Sequence, residues 1–116
     1  MALSTDNLIS HILDEAEFIS SQVDGLTKPQ YLQDEVLKRA FVRSIEIIGE
    51  AVKKLPAEFR EKHPTIQWRL IAGMSDKLVH EYFGVDHEIV WDAAVNRVSE
   101  LAAALGNTDG TLEEII

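Results

Sequence analysis

Residues 75–82 read Ser-Asp-Lys-Leu-Val-His-Glu-Tyr and place a hydroxyl, a carboxylate, an ammonium, an imidazole and a phenol in one short run. An imidazole with an ordinary pKa of roughly 6.5 can take or give a proton near neutrality, so His80 is the candidate acid–base group. Asp76 lies four residues earlier and shares a helix face with it, where a carboxylate can orient the ring. Lys77 is read as facing away from His80. Tyr82, two residues on, points elsewhere on a regular helix. A site using both His80 and Tyr82 must bend the helix end or span two chains. Taken alone, these residues favour a packed helix whose His80 is hydrogen-bonded at an interface.

The elements that position this run follow from apolar spacing. Ser4 or Thr5 caps a first helix, with Asp6 in its first turn and Leu8, Ile12, Ala16, Ile19 and Val23 as its stripe. Gly25 ends it. A second helix is expected from about Pro29 and Tyr31 to about Leu55, with a broad apolar face. Gly49 inside it marks close approach by another helix. Pro56 closes the segment, and one short turn is expected at Ala57 to Arg60. Thr65 caps the third helix, with Trp68, Ile71, Ala72, Leu78, Val79 and Phe83 as anchors, and Gly84 stops it. Asp86 caps a fourth helix with Glu88 in its first turn, and Gly106 stops it. The acidic tail beyond frays or adds a short turn. These segments predict an all-α, antiparallel bundle of four to five helices in one domain, 1–116. The breadth of the second helix's face points to a two-fold dimer.

Composition narrows the function classes. Twenty acidic against eleven basic residues give a net charge of −9, which opposes general affinity for nucleic acid. Lys38, Arg39, Arg43, Lys53, Lys54, Arg60 and Lys62 nevertheless cluster in one stretch. They read either as solvated faces paired with acids, such as Glu35 with Arg39, or as a local cationic groove, and the first is preferred. The chain has no cysteine, so disulfides and thiolate metal sites are excluded. His63 and His87 lack an i, i+4 histidine partner, His11 reads as surface filler, and no Gly-rich phosphate loop occurs. No metal or cofactor is therefore expected. The absence of a long apolar run or a leader pattern gives an expectation of a cytoplasmic protein without membrane contact.

Met74-Ser-Asp-Lys-Leu-Val-His-Glu-Tyr-Phe-Gly-Val-Asp86 resembles the signature of the HepT-like branch of the HEPN superfamily. That signature is an arginine, a polar residue, three residues, histidine, any residue, then tyrosine. Arg43-Ser-Ile-Glu-Ile-Ile-Gly-Glu-Ala51, Trp68 and Trp91 also match the family pattern, and the resemblance spans about Leu8 to Leu105. It implies a HEPN-like bundle, a homodimer with a composite site, and a metal-independent endoribonuclease. It further implies the toxin of a type II toxin–antitoxin pair with a minimal nucleotidyltransferase antitoxin. In that reading the RNA 2′-hydroxyl is the nucleophile, His80 the base or acid, Asp76 its orienter, and Tyr82 the acceptor of AMP from the antitoxin. Ser75 occupies the arginine position and cannot replace a guanidinium fork, so the site is expected to be impaired. Arg43 is the candidate auxiliary cation, although an ordinary surface ladder with Glu46 and Glu50 is the preferred reading of it. The alternative is a non-catalytic helical module that binds a nucleotidyltransferase partner.

Overall fold

The computed structural model describes residues 4–80 and 84–114, with the side chains of 78–80 and 107–114 left aside. Helix α1 spans Thr5–Val23. Its N-cap is Ser4, whose hydroxyl accepts from the Asn7 amide at 3.1 Å and so satisfies one orphan donor of the first turn. Leu8, Ile12, Ala16 and Ile19 are buried at four- and three-residue spacing. Fully burying an isoleucine such as Ile12 or Ile19 contributes about 1.5–3 kcal/mol. Gly25 reverses the chain with φ +76°, a conformation that L side chains adopt at a cost.

The single helix expected from Pro29 to Leu55 is two. Helix α2 covers Lys28–Gln33, and α3 covers Glu35–Lys54. Asp34 is the break. Its backbone is extended, its amide donates to Tyr31 O, and its carboxylate accepts from Leu37 N at 3.0 Å. A short acceptor that caps the second helix outcompetes continuation of the first. Thr27 and Gln30 form a reciprocal capping box at the start of α2, with Pro29 in its first turn. The bend sends Tyr31 into the core, stacked on Phe41 at 5.1 Å between centroids and tilted against Trp91 at 5.2 Å. Its buried hydroxyl has no hydrogen-bond partner among the described residues, and burial pushes its pKa well above the ordinary tyrosine value.

Helix α3 buries Phe41, Ile45, Ile48, Gly49, Ala51 and Val52, and lies between α1 and α5. Pro56 opens α4, Ala57–Glu61. Helix α5 spans Trp68–His80, starting three residues beyond the Thr65 cap expected from sequence. The reason lies in Trp68. Its indole N–H donates to Arg60 O and His63 O, at 3.1 and 3.2 Å, and ties the connector to the helix's first residue. Where α5 ends, and with it the Phe83 anchor, falls outside the described residues; Gly84, its expected stop, lies in a bend.

Asp86 caps α6, His87–Asp92, by accepting from Glu88 N and Ile89 N. A π-turn at Ala93–Arg97 leads into α7, Val98–Glu114. Gly106 does not stop this helix. A mid-helix glycine costs only about 1 kcal/mol against alanine. Val90, Ala93, Ala94, Val98, Leu101 and Leu105 are buried, and α7 packs on α1. The result is an all-α helical bundle, as the spacing predicts. Among the described residues no helix is long and apolar enough to cross a membrane.

His87 carries a pH lever. Its ring is partly buried, with Nδ1 lacking a hydrogen-bond partner among the described residues; burial pushes its pKa below 6.5, Lys38 adds to this, and Glu35 and Asp86 oppose it. The fold therefore favours the neutral ring. Its contribution is fully present above the unfolded value of 6.5 and is lost as pH falls through the lower folded value. Between about pH 7.5 and 5.5 the wild type should lose more stability than His87→Gln in urea melts. Equal losses would show that this ring does not sense the solvent.

Candidate functional site

Helix α5 has two working faces, because each residue advances about 100° around the axis. Ile71 and Ser75 lie on the face that meets α3, and both are buried. Ser75 is 0% exposed and sits against Gly49 of α3. A Cβ built on Gly49 would lie 2.0 Å from Ser75 Cβ and 2.2 Å from its Oγ, which no real pair tolerates. The close approach read from Gly49 is therefore present, and its partner is the serine of the motif. Ser75 Oγ also donates a long hydrogen bond to Glu46 O at 3.4 Å. Position 75 is thus a packing position in this chain.

Asp76 is half-buried on the next strip of α5. Its carboxylate pairs with the Lys53 ammonium, which also contacts Glu50 at 3.2 Å. Hydrogen bonding to Asp76 first, then to Glu50, holds the Lys53 pKa above its ordinary value. Asp76 and position 80 remain four apart on an unbroken helix, about 40° from one another. The side chain of His80 and the whole of Tyr82 lie outside the described residues. Arg43 stands exposed on α3 and forms no ion pair among the described residues. The expected ladder of Arg43, Glu46 and Glu50 gives way to the Glu50–Lys53–Asp76 chain, and Glu35 pairs with Lys38 at 3.0 Å rather than with Arg39.

Lys53 belongs to the basic cluster, and nothing in its local sequence sets it apart there. The signal that identifies it is its place one turn beyond Gly49, on the helix that α5 must approach. Lys77 also needs correction. On α5 it lies three residues before position 80, about 60° away, so the two are neighbours on adjacent turns. Position 75 is the distant one, about 140° from position 80.

The outer face of α5 borders an open groove of about 480 Å³. Arg69 and Lys77 stand along it, with Leu70, Met74, Val85 and Ile89 as its apolar lining. Leu70 and Ile89 are exposed. Neither Arg69 nor Lys77 forms an ion pair among the described residues, and Asp86, also at the groove, spends its carboxylate on the α6 cap. Among the described residues no group of three or more histidines and carboxylates is arranged to hold a metal ion.

Comparison with known proteins gives a consistent result. The family profile of HepT-like ribonucleases matches residues 12–107. A provisionally named RNase of Caldanaerobacter subterraneus subsp. tengcongensis is 55% identical over 93 residues, covering 80% of this chain and 83% of the relative. Another from Methanocaldococcus jannaschii is 42% identical over 103 residues, 89% of each chain. A provisionally named ribonuclease HepT of Thermococcus cleftensis is 36% identical over 101 residues, 87% of this chain and 92% of the relative. No solved structure matches.

Proposed function

This chain belongs to the HepT-like ribonuclease family, and from that premise we propose that it is the toxin of a toxin–antitoxin pair, a metal-independent endoribonuclease slowed by Ser75. The observation that carries the reading is the family match across the helices that build α5 and its surroundings. In the proposed reaction His80 takes the proton of an RNA 2′-hydroxyl. The freed oxygen attacks the adjacent phosphorus, and the bond to the 5′-oxygen breaks as that oxygen gains a proton. Asp76 positions the imidazole from one turn away, with Lys53 fixing the carboxylate. Charge developing on the phosphoryl oxygens calls for a cation, and serine at position 75 supplies none. Arg43, exposed on α3, is the auxiliary cation in this reading. Two copies related by a two-fold axis place their sites near that axis, and exposed Val36, outside the groove, is apolar surface that such an assembly can use.

Control comes from Tyr82 in the same proposal. A cognate nucleotidyltransferase moves AMP from ATP to the phenol oxygen and releases pyrophosphate. The added phosphate repels RNA beside the reacting groups. Incubation with that enzyme and ATP should add one AMP mass to the protein, and Tyr82→Phe should abolish it. Undiminished labelling of the Phe variant would move the acceptor to a serine or threonine hydroxyl, since Tyr31 is sealed in the core. Cleavage of RNA by the purified protein in a chelator tests the nuclease itself. A folded protein that binds the nucleotidyltransferase yet never cleaves would instead be the non-catalytic interaction module.

A further inference from the structure

We infer that Arg69 and Lys77 form a docking track for the phosphates of single-stranded RNA along the outer face of α5, with a nucleobase seated on the apolar lining between them. The inference rests on the ribonuclease reading above and adds the path of the strand. The two cations are eight residues apart on one continuous helix, about 12 Å along its axis. That separation suits two phosphates of one strand better than one phosphate clamped by both. Both side chains are exposed and neither is engaged by a carboxylate among the described residues. Leu70, Met74, Val85 and Ile89 supply an apolar floor in the same groove. Lys77 lies one turn from position 80, so a strand held there passes the proposed base.

Charge argues for a polyanion over a second copy of the chain. The protein as a whole is at −9, yet this groove presents two cations with no ion pair among the described residues, against one carboxylate, Asp86, that accepts from backbone amides. A two-fold contact made through the groove would bring the same patch of both copies together and oppose cation to cation. A phosphate backbone meets no such repulsion.

The test reads binding without cleavage. The probe is a labelled, mixed-sequence single-stranded RNA with 2′-O-methyl groups, which removes the nucleophile. Its affinity is measured by anisotropy between about 50 and 200 mM salt. Each lost phosphate contact on a single strand flattens the plot of log K against log salt by about 0.7. Arg69→Gln and Lys77→Gln should each show that change, and the double variant about 1.4. Lys62→Gln, at an exposed cation outside the groove lining, should leave the slope alone. An unchanged slope in the double variant overturns the inference, as does absence of salt-dependent binding by the wild type. A shift in sedimentation without a change in slope also overturns it and makes the groove an interface between copies. Cleavage of unmodified RNA, scored separately, decides whether the ribonuclease reading stands or falls with it.

Discussion

Ser75→Arg is expected to raise RNA cleavage on the order of 10²- to 10³-fold, the usual worth of one donor to a developing oxyanion. The gain comes with a structural cost. Ser75 is sealed against Gly49, and a longer stem cannot extend toward α3. It must turn out of the crossing along the strip occupied by Asp76 to approach position 80. Overpacking of this kind costs about 1–3 kcal/mol. The variant should therefore be faster but less stable, and its rate should be measured in a chelator well below its melting temperature. Adding His80→Ala should remove about 10²- to 10⁴-fold, the usual range for a general base. A folded Ser75→Arg protein that cleaves no faster than the wild type would defeat the impaired-site account.

Gly49→Ala should lower stability by about 1–3 kcal/mol, although alanine is the better helix former by about 1 kcal/mol. The new methyl meets Ser75 Cβ, which is fixed to the backbone of α5 and cannot swing aside. The remedy is specific. Ser75→Gly in the same chain removes the obstructing Cβ, so the exchanged pair should recover most of the loss. A double-mutant cycle in urea should give a coupling of about 0.5–3 kcal/mol. Ser75→Ala should give no such recovery, because its Cβ remains. A neutral Gly49→Ala would mean that the two helices stand further apart.

The sequence conveyed the rods and one of their contacts. Apolar spacing located α1 and the buried faces of α3 and α7, and Ser4, Pro29 and Asp86 marked helix starts correctly. Gly49 announced a close crossing but not its partner, since a missing side chain says only that something comes near. Asp34 does not read as a break because apolar residues continue at helical spacing on both sides of it. Thr65 looked like a cap, yet the Trp68 indole, a long-range donor, decides where α5 begins. Gly106 carried the opposite error, a local stop signal overridden by the helix around it. The shared helix face of Asp76 and position 80 is legible from their four-residue interval. The ion pair of Asp76 with Lys53 is not, because it joins residues 23 apart in sequence.

The π-turn at Ala93–Arg97 changes how the last rod must be counted. Residues 87–92 and 98–114 lie on either side of a turn that holds one residue more than an α-helical turn. The extra residue is absorbed locally, so the faces before and after the turn stay close to in phase. Trp91 meets Tyr31 before it, and Leu101 and Leu105 enter the core after it. Deleting one residue within 93–97 would remove the wide turn and leave an ordinary helix, whereas deleting one from α7 would rotate all that follows by about 100°. The turn is therefore where the last rod can lose a residue without re-indexing its core face.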